Sequence, residues 1–194
     1  MARTNKKQIR VIAGSLKGRM LEYPVGTALR PTMQRTKAAV FDSLGDALHD
    51  TVFVDLFAAA GGVGIEALSR GARVVHFVER DGYALACLES NLKRCDIGSD
   101  QSVVHTADVM AFLRDCRLFD HEPAIVYADP PYEFSKTGVF LEFFGRMDYA
   151  YFPLLILEHR SNAIPDDDPP GLARVKLKRF GQSWVSFFVS ARGE

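Results

Sequence analysis

With 194 residues, 47% hydrophobic and 25% charged, the chain is long enough for one domain with a full core and is ordinary for a soluble globular protein. No apolar stretch is long and charge-free enough to span a membrane and no signal-peptide core opens the sequence, so a cytoplasmic protein is expected. Cys87, Cys95 and Cys116 lack metal-type spacing and leave one thiol over in any disulfide scheme, which argues against a metal centre and for a reducing compartment.

Formal net charge is zero, but its distribution is uneven. Arg3, Lys6, Lys7, Arg10, Lys17, Arg19, Arg30, Arg35 and Lys37 precede residue 41 with only Glu22 against them. A basic arm on an acidic body fits a polyanion docking at one end. For residues 3–7 a solvated tail is the simpler reading. Residues 8–23 break at Gly14 and Gly18, which predicts two short strands of a hairpin carrying Arg10, Lys17 and Arg19. Leu29, Arg30, Pro31 and Thr32 then read as a turn, with Thr32 capping a helix that runs to about residue 48. Val40, Leu44 and Leu48 form its inner face. Arg35 and Lys37 near its start oppose the helix dipole, which favours a phosphate or an anionic substrate facing Arg30, Arg35 and Lys37.

The next stretch organises the chain. An apolar run of Val52, Phe53 and Val54 ends at Asp55, and a small-residue turn over 58–64 leads into a helical pattern over 65–70 stopped by Gly71. A second apolar run over 74–78 ends at Glu79. This is a βαβ unit with a carboxylate at the tip of each strand. In parallel sheets ligands sit outside the carboxyl ends of the strands, and an acid closing the second strand can accept two hydrogen bonds from a ribose diol. Any crossover needs a tight turn; Asp55 and Glu79 together tilt the reading toward a nucleoside ligand.

Asp81 is placed to cap a helix through residue 93, with Leu85, Leu88 and Leu92 inward. A third strand over 102–105 leads to Asp108, which could be a plain helix cap or could accept from an adenine amine with Val109 against the ring. A fourth strand over 124–128 ends in Asp129, Pro130, Pro131 and Tyr132. Two prolines make that turn rigid and fix the direction of its carbonyls. The tetrapeptide offers a carboxylate, a backbone carbonyl and a ring face to a planar group bearing an NH2, more than a plain turn requires. A helix over 137–147 buries Phe140, Phe144 and Met147, and a fifth strand over 153–157 closes on Glu158 and His159, the histidine read as structural. The chain ends in a hairpin, 173–180 and 184–191, with Val175 and Leu177 alternating against Lys176 and Lys178. No repeat or low-complexity segment is present.

Five βα units and a terminal antiparallel hairpin resemble the class I S-adenosylmethionine-dependent methyltransferase fold. That fold is a Rossmann-like α/β architecture with a seven-stranded, mostly parallel sheet. Here it would carry a small N-terminal β-hairpin extension, residues 1–28 forming the basic arm and 29–194 the methyltransferase domain. The chain further resembles the bacterial 16S rRNA guanine-N2 methyltransferases, the small-subunit rRNA methyltransferase D type. The likeness lies in RVIAG at 10–14 with Lys17, Gly18 and Arg19, LRPT at 29–32 with Arg35, DLFA at 55–58, GIEALSRGA at 64–72 and DPPY at 129–132. The resemblance implies S-adenosylmethionine bound by Asp55, Phe57, Ala58, Gly61, Gly64, Glu79, Arg80, Asp108, Val109 and Asp129. It implies catalysis by Asp129, Pro130, Pro131 and Tyr132, and RNA held by Arg10, Lys17, Arg19, Arg30, Thr32 and Arg35. The expected partner is 16S rRNA within an assembling or assembled small ribosomal subunit, with no membrane and no metal. One departure stands out: Ala59 and Ala60 replace the Gly-Ser usual in the family, and alanine is strained wherever φ must be positive.

The leading expectation is methyl transfer to the exocyclic N2 amine of a guanosine in 16S rRNA. Adenine N6 in DNA or a glutamine amide in a protein would keep the reaction and change the substrate. The first commonly needs a separate recognition domain, and the second has no use for a basic N-terminus. An NAD-dependent dehydrogenase leaves DPPY unexplained. A non-catalytic RNA-binding protein on the same scaffold finds support only in Ala59 and Ala60.

Overall fold

The computed structural model describes residues 7–24, 31–115, 123–131, 137–147, 154–161 and 168–191. Its centre is a seven-stranded sheet built from β3 (Val52–Leu56), β4 (Val74–Glu79), β5 (Ser102–Thr106), β6 (Ala124–Ala128), β7 (Leu154–Arg160), β8 (Leu172–Phe180) and β9 (Ser183–Ser190). The strand order is β5-β4-β3-β6-β7-β9-β8, with β9 antiparallel to both neighbours and the other pairs parallel. The chain moves outward from β3 to β5, then returns to the other side of β3 for β6. That reversal opens a crevice at the carboxyl ends of β3 and β6, the place where open α/β sheets bind ligands.

Both faces of the sheet are covered, so its central strands read as near-continuous apolar runs. Alternation still decides which side each residue serves. Phe53, Val75, Phe77, Ile125, Tyr127 and Ile156 join one apolar cluster with α1 (Pro31–Leu44), α2 (Gly64–Ser69) and α3 (Gly82–Arg94). Val54, Leu56, Val126, Ala128, Leu155 and Leu157 join the other with α4 (Val109–Asp115) and α5 (Thr137–Gly145). A separate antiparallel pair, β1 (Lys7–Arg10) and β2 (Met20–Tyr23), sends Ile9, Leu21 and Tyr23 into the first cluster. The expected N-terminal hairpin therefore shares the core of the larger sheet; the expected boundary at residues 28 and 29 falls outside the described residues.

The predicted elements are found, with four corrections. The first helix begins at Pro31, not after Thr32, as suits a proline whose missing N–H would be unpaired in a first turn anyway. It ends at Leu44, and Leu48 lies on a short 3-10 turn, Gly45–Leu48, that starts at a glycine with φ of +50°. β7 does not stop at Leu157: pairing of Glu158 with Val185 and of His159 with Trp184 carries it to Arg160. In β8 a bulge between Arg174 and Lys176 breaks the expected alternation of Val175 and Leu177 against Lys176 and Lys178, and Val175 is 59% exposed. No helix among the described residues is long and apolar enough to cross a membrane.

Candidate active site

The tips of β3, β4 and β6 bring three of the anticipated carboxylates to one edge of the sheet. Asp55 is 2% exposed and accepts a hydrogen bond from the Gly64 N–H at 2.8 Å. Burial pushes its pKa up to about 7, Glu79 adds to the rise, and the Gly64 N–H and Lys37 oppose it. Between β3 and α2 the turn passes through three left-handed residues, Phe57 (φ +62°), Ala59 (+47°) and Gly61 (+81°). Glu79 clamps this turn: its carboxylate accepts from the Ala59 N–H at 2.8 Å and from the Arg80 and Asp81 N–H groups at 2.7 and 2.9 Å. Ala58 is tied across to β4 by its N–H to the Val78 carbonyl at 3.0 Å.

The glycines of this turn answer to the core as well as to any ligand. A Cβ on Gly61 would lie 2.4 Å from Leu88 Cδ1, and one on Gly64 2.2 Å from Phe77 Cε1. Small residues are needed there to seat the turn on α3 and β4.

Beneath the turn lies a buried polar network that sequence patterning did not single out. Glu66 on α2 is fully buried. Its carboxylate accepts from the Ile12 and Ala13 N–H groups at 2.9 and 3.0 Å and pairs with Lys37 Nζ at 3.1 Å and Arg70 Nε at 2.9 Å. Burial would raise its pKa, but Lys37, the Ile12 N–H and Arg70 outweigh that and hold it below the usual range. Lys37 was expected to face an anionic substrate. It is instead engaged by Glu66 and by the Gly62 carbonyl at 3.3 Å, because a buried ammonium requires a partner. Ser69 continues the seam, its Oγ accepting from the Leu16 N–H at 2.9 Å. Gly14 (φ +81°) lies so close that a Cβ there would be 1.7 Å from the Ser69 carbonyl oxygen. On α3, Asn91 mimics a strand edge: its Oδ1 accepts from the Glu22 N–H at 2.8 Å, while its Nδ2 donates to the Glu22 and Ala60 carbonyls at 2.8 and 2.9 Å. The available signal was the GIEALSRGA stretch, which places an acid, a serine and an arginine where an amphipathic helix would carry apolar or exposed residues.

Asp129 follows β6, which pairs with β3 through Leu56 and Ala128, so it stands beside Phe57 at the switch point. It opens onto a small open cleft lined by Ile9, Tyr23, Gln34, Lys37, Gly62, Val63, Tyr127 and Glu158. Asp129 is itself exposed, so although neighbouring protein, then Glu158, then Asp55 push its pKa above the usual carboxylate range, solvent screens that rise. Pro130 is half-buried and Pro131 exposed. Tyr132 lies outside the described residues. Glu158, not anticipated as a site residue, accepts from the Tyr127 hydroxyl at 3.0 Å and from Ser183 Oγ. His159 is structural as expected, buried against Ser186 Oγ at 2.8 Å.

Asp108 caps α4, accepting from the Met110 and Ala111 N–H groups at 3.0 and 3.3 Å, and its other oxygen meets Arg80 at 3.1 Å. Val109 is buried in the cluster under α4. Arg10, Lys17, Arg19 and Arg35 are exposed, Arg19 reaching Asp96 at 3.8 Å. Arg30 and the Thr32 side chain lie outside the described residues. No cluster of metal-ligating side chains occurs among the described residues.

Known proteins resemble this chain in sequence and in fold. A Bacillus subtilis protein named "Putative rRNA methyltransferase YlbH" is 37% identical over 133 residues, 69% of this chain and 72% of its own. Ribosomal RNA small subunit methyltransferase D of Haemophilus influenzae is 35% identical over 130 residues, 67% of each chain. A solved structure described as "Putative methyltransferase yhhF from Escherichia coli" superposes with a TM-score of 0.79 at 28% identity, covering 95% of this chain and 98% of that one. The fold is the Rossmann-like methyltransferase fold. A family model described as Conserved hypothetical protein 95 matches residues 9–189, and the chain belongs to that family.

Proposed function

We propose that this protein is an S-adenosylmethionine-dependent methyltransferase. Its target would be the exocyclic N2 amine of a guanosine in 16S rRNA, presented by an assembling or assembled small ribosomal subunit. The observation that carries the reading is the position of Asp129, at the topological switch point between the Asp55 and Glu79 tips and the open cleft lined by Tyr127 and Glu158. The names of the relatives, rRNA small subunit methyltransferases, support the substrate class.

The donor set fits the cofactor. Glu79, with about one acceptor position left beside its three backbone N–H bonds, is placed for a ribose hydroxyl, Asp55 and the 61–64 turn for the methionine end, and Asp108 with Val109 for the adenine. When bound, S-adenosylmethionine supplies an electrophilic methyl on a sulfonium. The chain must supply positioning, because the N2 lone pair is delocalised into the guanine ring and is a poor nucleophile. The Asp129 carboxylate and the Pro130 carbonyl accept the two N–H bonds and hold the nitrogen in line, with Tyr132 stacked on the base. The main contributions are then orientation and a fixed electrostatic environment. A proton leaves the nitrogen once the new N–C bond forms, and the Asp129 carboxylate, already bonded to that N–H, is placed to take it. Reaching the amine needs an unpaired or extruded base, as in an RNA loop.

Methyl transfer from labelled cofactor to small-subunit particles lacking the modification tests the reading, with naked rRNA and DNA alongside. Label recovered from 16S rRNA as N2-methylguanosine is expected. Label in DNA adenine or in a protein glutamine would overturn it.

A further inference from the structure

The cleft beside Asp129 contains more hydrogen-bond acceptors than the methyl transfer described above uses. Glu158 lies on β7, a strand rather than a loop, because β9 pairs through Glu158–Val185 and His159–Trp184. Its carboxylate is fixed from behind by two hydroxyl donors, Tyr127 at 3.0 Å and Ser183. Tyr127 is itself 3% exposed. A carboxylate offers about four lone-pair positions, so two remain for the cleft. Gln34 also lines the cleft, its Oε1 buried and without a hydrogen-bond partner among the described residues. The lining cation, Lys37, is engaged by Glu66 and the Gly62 carbonyl. The described lining therefore presents Asp129 and Glu158 with no free positive charge to balance them.

Such a wall requires a ligand whose N–H donors stand side by side. Guanine places its ring N1–H next to the N2 amine. Adenine and cytosine set an acceptor nitrogen beside their amines, and a glutamine amide sets a carbonyl there. Building on the guanine-N2 reading, we infer that Glu158 is the specificity-determining residue of the site. It accepts the guanine N1–H while Asp129 and the Pro130 carbonyl accept the N2 protons, and so admits guanine while rejecting bases with a bare ring nitrogen. A site built to bond a substrate N–H discriminates strongly against an analogue without it, because the buried acceptor is then left unpaired.

The test uses the full chain and small-subunit particles rebuilt with rRNA ligated to carry either guanosine or 2-aminopurine riboside at the methylated nucleotide. 2-Aminopurine keeps the N2 amine and has an unprotonated N1. Wild type is expected to favour guanosine by at least about tenfold to a hundredfold, the worth of one hydrogen bond to a charged group. Glu158→Gln, whose amide can offer an N–H to the bare N1, is expected to slow transfer to guanosine and quicken it on 2-aminopurine. The ratio should shrink by about tenfold or more while cofactor affinity stays unchanged. Ser183→Ala, which removes one anchor and keeps the carboxylate, should narrow the ratio less, and serves if Glu158→Gln does not fold. Equal losses on both bases, or an unchanged ratio in both variants, would overturn the role of Glu158 while leaving the guanine reading intact. Label on any natural base other than guanine in wild type would remove both.

Discussion

Lys37 and Glu66 form an ion pair, Nζ to Oε2 3.1 Å, with side chains only 6% and 0% exposed, directly beneath the turn that joins β3 to α2. Four segments meet there: Glu66 belongs to α2, Lys37 to α1, Ile12 and Ala13 to the loop after β1, and Gly62 to the turn. Lys37→Met leaves a buried carboxylate short of its cation, and breaking buried pairs in this way costs about 3–5 kcal/mol. Arg70 remains on Glu66, so the lower end, about 3 kcal/mol, is expected from urea unfolding. The depressed Glu66 pKa places this contribution above its ordinary value of about 4.5, to be lost as pH falls through the lower folded value.

Ala59 holds φ at +47° with its N–H bonded to Glu79. A left-handed alanine costs roughly 1–2 kcal/mol, and glycine gives back part of that gain as unfolded-state entropy. Ala59→Gly is expected to stabilise the protein by about 0.5–1 kcal/mol in equilibrium unfolding and to leave the Glu79 contact in place. A loss of stability would show that the turn has found another geometry suited to alanine.

Asp55 makes stability fall with pH over a definite window. Its folded pKa, raised to about 7 from an ordinary 3.8, means that the folded state holds the proton more tightly. The stabilisation is complete below the unfolded value and lost as pH rises toward 7. Asp55→Asn keeps an acceptor for the Gly64 N–H and does not titrate. The variant is expected to gain on wild type between about pH 4 and 7 and to run parallel above that, which thermal melts across pH would read.

Arg10, Lys17 and Arg35 are exposed. If they bind phosphates, each contributes about 0.9 to the slope of log affinity against log salt. Replacing all three by Ala should weaken small-subunit RNA binding and flatten that slope by two to three units, roughly one per contact. An unchanged slope would locate the electrostatic grip elsewhere.

The fold was readable because its signals are local. Asp55, Glu79 and Asp129 each end an apolar run, and Asp81 caps α3 as its position suggested, accepting from the Ala84 N–H at 2.8 Å. Contacts between distant segments were not readable. Lys37 looked like a substrate ligand because nothing near it in sequence reveals Glu66, 29 positions away. Glu158 looked like a residue past a strand end, because the β9 pairing that extends β7 depends on a segment 27 residues further on. The break in the β8 alternation at Val175 was not readable either, because a bulge leaves no trace in a period-two pattern.

Asp129 is where the structure and the proposed chemistry meet, and one measurement tests that most directly. Wild type, Asp129→Asn and Asp129→Ala are compared for transfer of labelled methyl to unmodified small-subunit particles, with nucleoside analysis of the product and cofactor affinity determined separately. N2-methylguanosine from wild type is expected, with transfer down by about a hundredfold or more in both variants, the loss typical of removing a positioned electrostatic partner, at nearly unchanged cofactor affinity. Full transfer by Asp129→Ala would contradict the assignment of this strand tip as the catalytic centre.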